Sequence, residues 1–340
     1  MTESMDEKIL VQIEEMPDVQ GLTFRRFRGE VDYPLMQAVL QGSKDADGLE
    51  RIPTIEDLTL IYSHLDNCDP YKDMLFSEVD GQVIGFNRVW WELEYNGEYI
   101  YTLVGTVLPE WRCKGIGTAM LHHSEDRIRK ISSEHPSEPH KFFQSWASEK
   151  EVDFLNMMNK ENYQIIRYFI KMTRPISDPI PEAHMPAGLE VRSVKEDEYR
   201  KVFTANDEGF RDHWGHVPLT ENDYQKLLES PRFNPKIWKV AWDGDEVAGM
   251  VLNFVDEKEN QDNQRERGYT EEIVVQRPYR QRGLAKALIA QSIAMFRDLD
   301  MDETALSVDA ENLSGALNLY EYMGYKTEKR TTVFRKPLQK

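Results

Sequence analysis

The sequence holds only two cysteines, Cys68 and Cys113, in 340 residues. Two thiols cannot build a disulfide framework or a four-cysteine zinc site, so a reducing compartment is the simpler expectation. No apolar run reaches the roughly 18 residues that a membrane-spanning helix needs. Positive charge is also short, with 42 Lys and Arg against 60 Asp and Glu, a net −18. That balance disfavours non-specific binding to nucleic acid or anionic lipid. The first residues, MTESMDEKILVQIEEMPDV, lack the basic-then-apolar order of a secretory signal. The expectation is a cytoplasmic protein with no nucleic-acid or membrane partner. Its oligomeric state is open.

What the sequence has is a globular composition, 40% hydrophobic and 30% charged, at a length suited to two domains. It also has an internal repeat. Gly21-Leu22-Thr23-Phe24-Arg25 returns 167 positions later as Gly188-Leu189-Glu190-Val191-Arg192. Pro53–Leu58 resembles Pro218–Asp223, and Val79–Gly85 resembles Trp242–Gly249. Arg112-Cys113-Lys114-Gly115-Ile116-Gly117 resembles Arg280-Gln281-Arg282-Gly283-Leu284-Ala285, and Asn162-Tyr163 matches Gly324-Tyr325. The matches keep their order, at offsets of 162 to 168, far beyond the period of a solenoid. They predict a duplicated domain. Between the copies, Arg174–Pro186 carries four prolines in thirteen residues, which predicts an extended linker. The expected organisation is domain 1–174, linker 175–187 and domain 188–340. Residues 1–174 carry −11 and residues 175–340 carry −7, so neither half is a basic nucleic-acid module.

Hydrophobic spacing gives each half the order β-α-α-β-β-β-α-β-α-β. In the second half Thr220-Glu221-Asn222-Asp223 reads as a capping box. An Asp-Gly turn joins strands Trp238–Trp242 and Glu246–Val255. The polar stretch Asp256–Arg267 reads as a hairpin loop. Strand Tyr269–Gln276, helix Gly283–Leu299, strand Thr304–Val308, helix Ser314–Met323 and strand Tyr325–Arg335 follow. Consecutive hairpins before the central helix exclude a doubly wound dinucleotide fold. The fold class is α/β, with two tandem domains, each a mixed, mainly antiparallel sheet flanked by helices.

The chemistry concentrates where a strand ending in Val275 meets an Arg- and Gly-containing turn and a helix opens. N–H groups of the first helical turn have no intrahelical partner, and the helix dipole adds positive potential. Such a turn is suited to cradling a pyrophosphate. It has neither the NTPase loop pattern nor the dinucleotide fingerprint. In these residues the sequence resembles the GNAT family of N-acetyltransferases, whose signature is Arg/Gln-x-x-Gly-x-Gly/Ala. The tandem arrangement is similar to the mycothiol synthase group of that family. The resemblance implies acetyl-CoA as donor. It implies binding by Val275, Arg280, Gln281, Arg282, Gly283, Leu284, Ala285 and Lys286 in the second half. In the first half it implies Val107, Arg112, Lys114, Gly115, Gly117 and Thr118. Asn312–Tyr325 resembles the family's second signature, which implies Tyr320 as general acid and Asn312 as a pantetheine contact or turn residue. The first half has Lys150 and Met158 at those two places. Its strand Tyr99–Val107 carries no carboxylate, so chemistry is expected in the second half.

An attacking amine must lose a proton, and a carboxylate suits that work. Strand alternation puts Glu271 on the face of Tyr269, Ile273 and Val275, with Glu272 on the other face. Glu271 is the favoured base, with Glu272 or a distant residue as rivals. The segment from Asn206 to His216 places Asp212, His213, Trp214 and His216 as candidates for the acceptor pocket. No metal is expected, since His213 and His216 have no clear third ligand nearby, and His122 and His123, at adjacent helix positions, face different ways. The resulting expectation is transfer of an acetyl group to a primary amine, most simply of a small molecule. The alternatives are a protein N-acetyltransferase and a non-catalytic acyl-CoA sensor or scaffold.

Overall fold

The structure, a computed structural model, describes residues 10–137, 140–312 and 315–338. The chain divides into two compact units. Unit 1 is Met1–Ile166 with Thr332–Lys340, and unit 2 is Arg167–Thr331. No helix among the described residues is long and apolar enough to cross a membrane.

Unit 1 begins with β1 (Leu22–Arg25), α1 (Tyr33–Asp47), α2 (Ile55–Ser63) and the short α3 (Pro70–Asp73). It continues with β2 (Met74–Val79), β3 (Gln82–Leu93), β4 (Tyr99–Val107), α4 (Ile116–Ser132), β5 (Lys141–Ser148) and α5 (Val152–Lys160). The neighbours from β1 to β4 pair antiparallel. β4 and β5 pair parallel, but only over Tyr99–Thr102 and Lys141–Gln144. One core gathers Phe24, Phe76 and Ile84 under α1 and α4, and a second gathers Tyr101, Phe143, Met158 and Phe334.

The strand β6 (Gln164–Pro175) runs into unit 2. Unit 2 holds β7 (Glu190–Arg192), α6 (Tyr199–Phe210), α7 (Glu221–Glu229), β8 (Lys239–Asp243), β9 (Glu246–Val255) and α8 (Glu257–Asn263). It continues with β10 (Arg267–Val275), α9 (Leu284–Asp298), β11 (Glu303–Asp309) and α10 (Ala316–Tyr322). The final strand, β12 (Lys326–Pro337), passes back into unit 1 at Thr332. β7 to β10 pair antiparallel in order. β10 and β11 pair parallel over only three residues, and β11 pairs antiparallel with Phe169–Pro175 of β6. Leu288, Ile293 and Phe296 of α9 pack fully buried against this sheet.

The mixed, mainly antiparallel architecture follows the sequence pattern closely. The capping box at Thr220 is present, with Asp223 N–H donating to Thr220 Oγ1 at 3.2 Å and Thr220 N–H to Asp223 at 2.8 Å. Thr54 and Asp57 form the same box in unit 1. One expectation is corrected. Asp256–Arg267 is not a plain hairpin loop, because Asp256 caps α8 by accepting from Glu259 N–H at 3.0 Å. The expected start of α10 at Ser314 lies outside the described residues. The proline-rich stretch is fastened at its beginning. Buried Arg174 donates to the carbonyls of Pro175, Asp178, Pro179 and Met323 at 2.7–3.0 Å.

Candidate active site

The two cradles share one backbone design. After β10, a short turn at Arg277–Tyr279 leads into Gln281 at φ +60° and Gly283 at φ +83°, which caps α9. After β4, a turn at Pro109–Trp111 leads into Cys113 at φ +58° and Gly115 at φ +83°, which caps α4. A left-handed residue just before the helix is what glycine permits at little cost. At Gly283 an added Cβ would meet no atom within 4 Å, so the mouth of this cradle is open. The first-turn N–H groups of α9 face it without intrahelical partners.

Around the second cradle is a cleft of about 1330 Å³. Val275, Arg280, Gln281, Gly283, Leu284, Ala285, Lys286 and Asn312 line it, together with Glu271, Tyr320, Asp212, His213, Trp214 and His216. Arg282 is not among the lining residues. It lies over the Tyr279 ring and donates to Ala187 O at 3.4 Å. Arg280 turns back on the fold, donating from Nε to Val275 O at 3.0 Å and facing Asp212 at 3.4 Å. Lys286 sits 4.0 Å from the Tyr322 ring centre. The first cradle opens on a smaller cavity, about 370 Å³, lined by Val107, Arg112, Gly115, Gly117 and Thr118. Lys114 is not part of that lining and stacks on Trp111.

The carboxylates are placed by two departures from a regular sheet. β10 leaves β11 after Tyr269↔Ala305, so the edge of β10 from Glu271 onward is not paired with β11. In addition, β10 bulges between Glu271 and Val274 against β9, and Glu272 takes φ +47°. A bulge breaks strict alternation. The expectation that Glu271 and Glu272 face opposite sides is therefore corrected, since both open onto the cleft. The backbone N–H of Ser307 faces the Glu271 carboxyl across the gap and tempers its shift. Both carboxylates meet solvent through the cleft, Glu271 half-buried and Glu272 exposed, with protein atoms crowded around them. Burial, with Glu272 alongside, pushes the Glu271 carboxyl up to about 8, against the opposing charge of Lys171. Burial also raises Glu272, opposed by Asn206 and His216. Tyr320 is 7% exposed. Burial first, then the charge of Glu271, raises its phenol above the ordinary value.

The acceptor-side candidates divide. Asp212 is held by Arg277 at 2.6 Å and by Arg280. His213 packs edge-on against Phe210, and burial lowers its pKa. Trp214 lies under the Arg167 guanidinium, 4.7 Å from its ring centre. His216 faces Asp207 at 3.0 Å. Asn312 shapes a turn, its N–H bonding Asp309 O and its own carbonyl receiving Gly315 N–H.

Sequence reasoning missed Asn206, Ser307 and Lys171. Ser307 and Lys171 lie opposite each other in register on β11 and β6, a juxtaposition that no local pattern encodes. The bulge had one signal: two adjacent glutamates inside an otherwise apolar strand cannot both avoid the core unless the strand breaks its alternation. Among the described residues, β4 of unit 1 has no counterpart of this bulge. β3 and β4 pair without interruption from Gly85↔Val107 to Leu93↔Tyr99, and Met158 is fully buried.

The sequence matches the Acetyltransferase (GNAT) family profile twice, over residues 37–135 and 199–325. A mycothiol acetyltransferase from Geodermatophilus obscurus is 26% identical over 292 residues, covering 85% of this chain and 89% of its own length. Another, from Salinispora tropica, is 25% identical over 298 residues, covering 85% and 88%. The solved GCN5-related N-acetyltransferase from Sphaerobacter thermophilus shares the fold, with a TM-score of 0.72 at 23% identity over 96% of this chain and 98% of that one. With one profile match in each repeat, the chain belongs to the GNAT family, as an acetyltransferase with two tandem domains.

Proposed function

We propose that unit 2 transfers an acetyl group from acetyl-CoA to a primary amine by direct attack, with Glu271 as general base and Tyr320 as general acid. The observation carrying this reading is the bulged, splayed end of β10, which brings Glu271 and Tyr320 to one cleft beside an open cradle.

The residues fit the donor. A Cβ at Gly283 would project into empty space, and helix α9 has fifteen residues. Gln281, Gly283, Leu284 and Ala285 would hold the pyrophosphate through backbone N–H groups, with Lys286 nearby. The donor supplies an activated acetyl thioester. Glu271, ionised, takes a proton from the acceptor ammonium. Tyr320 stays protonated at neutral pH because its phenol is buried, so it can return a proton to the leaving thiolate. Unit 1 has neither carboxylate nor tyrosine at the matching places, which favours a supporting role for it. Similarity to the mycothiol acetyltransferases supports a small-molecule acceptor.

The test is thiol release from acetyl-CoA over a panel of amines, with Tyr320→Phe and Glu271→Gln. We expect turnover with at least one amine and a 10²- to 10⁴-fold loss of kcat in each variant, on the order expected for acid–base groups. Absence of turnover with every amine, or variants equal to wild type, rejects the reading.

A further inference from the structure

In the cleft, beside the carboxylate assigned as base, a second polar cluster has no role in the transfer step. Asn206, on α6, is 8% exposed and donates from Nδ2 to Glu272 Oε2 at 2.9 Å. Its Oδ1 is buried and has no hydrogen-bond partner among the described residues. A buried carbonyl oxygen is seldom left unpaired, so such an atom in a ligand cleft points to a donor supplied from outside. Asp207, the next residue, also lines the cleft and holds His216 Nε2 at 3.0 Å. The bulge is what turns Glu272 toward this group instead of across the sheet.

The cluster presents acceptors. Asn206 offers an unpaired carbonyl oxygen, and Glu272 and Asp207 offer carboxylates. The two arginines of the cleft lining are engaged elsewhere. Arg167 is 2.8 Å from Asp309 and within 4.0 Å of Glu311, and Arg280 faces Asp212. A ligand group that suits these atoms carries several N–H donors and a positive charge. An ammonium does so, and a hydroxyl or a carboxylate does not.

We propose that Asn206 and Glu272, with Asp207 behind them, form a second ammonium subsite, so that the acceptor is a compact amine bearing two cationic nitrogens. This rests on the acetyl-transfer reading of the same cleft. One nitrogen is acetylated beside Glu271, and the other is held at Glu272. Because the two glutamates are adjacent in sequence, the second nitrogen lies only a few bonds from the first. Glu272 is thus a specificity-determining residue.

The experiment compares 1,4-diaminobutane with butylamine in acetyl-CoA-dependent thiol release, for wild type, Glu272→Gln and Asn206→Leu. We expect wild type to favour the diamine at least tenfold in kcat/KM. In both variants that ratio should fall toward one, mainly through a higher KM for the diamine. Calorimetric titration of the diamine into protein without acetyl-CoA supplies an independent reading. Binding that weakens at least tenfold in Glu272→Gln supports the subsite even if no amine is acetylated, in which case only the transfer reading fails. The subsite is overturned if wild type treats both amines alike, if the variants keep the preference, or if the variants lose turnover equally with both amines. Diamine binding that is absent, or indifferent to Glu272, overturns it as well.

Discussion

Arg112 donates from Nε to the carbonyl of Val107 at 2.8 Å, bracing the first cradle against the end of its strand. Arg280 repeats the bond to Val275 at 3.0 Å in the second cradle. Each arginine also faces an aspartate just after or at the end of a helix, Asp47 for one and Asp212 for the other. The surroundings differ. The Asp47 side chain is 5% exposed, whereas that of Asp212 is 49% exposed. Removing one member of a buried ion pair strands its partner. We therefore expect Arg112→Ala to destabilise unit 1 by about 3 kcal/mol. Arg280→Ala should leave the melting temperature near that of wild type, because Asp212 keeps both solvent and Arg277. Thermal and urea denaturation of the two variants check this.

As the proposed base, Glu271 sets a pH dependence whose sign is fixed. Its carboxyl is raised to about 8 by burial and by Glu272, and a general base acts only when ionised. Activity should therefore climb as pH rises through about 8, and Glu271→Gln should abolish that limb. Stability runs the other way. A carboxyl raised in the fold binds its proton more tightly there than in the unfolded chain. It favours folding most at low pH and loses that contribution as pH rises from the ordinary 4.5 through about 8. The melting temperature of Glu271→Gln should thus gain on wild type between pH 5 and pH 9. A gain that shrinks over that interval would contradict the assignment.

The bulge is held from the helix side by Gly209. A Cβ there would lie 2.0 Å from Cγ1 of Val274, at the end of the bulge. Gly209→Ala must push Val274 and with it the strand carrying both glutamates. Overpacking of this kind costs about 1–3 kcal/mol. We expect that loss of stability together with a fall in kcat, measured by denaturation and by thiol release. A fall in stability with kcat intact would mean that the bulge absorbs the displacement without moving Glu271.

The parts that were legible in the sequence are those written locally. Gly283 marks a helix start, Thr220 writes a capping box, and the repeat declares the duplication. The parts that were not legible depend on contacts distant in sequence. The gap between β10 and β11 is invisible in either strand alone. It decides that Glu271 finds Ser307, 36 residues later. The bulge altered the alternation on which the faces of Glu271 and Glu272 were reckoned. Asn206 sits in a segment whose tryptophan and histidines drew attention, yet its own amide meets Glu272. Helix α8 was hidden because its buried residues, Glu259 and Asn260, are polar and satisfied by Arg265, Tyr269 and Arg267.

The cradle of unit 2 can be tested apart from the acid–base groups. Gly283 has φ +83°, and a side chain there would point into open space, so Gly283→Glu strains the backbone without a clash. The new carboxylate would stand where the proposed cradle holds the pyrophosphate, beside the N-terminus of α9, and repel it. Gly188 provides the matched control. It has φ +85° and equally open surroundings, and it lies outside the cleft, so Gly188→Glu carries the same strain and charge without the location. We expect both variants to fold with similar melting temperatures. The KM for acetyl-CoA should rise at least tenfold in Gly283→Glu and stay at the wild-type value in Gly188→Glu. Equal KM values in the two variants would place the pyrophosphate away from α9, and the cradle would then be a strand-to-helix turn and nothing more.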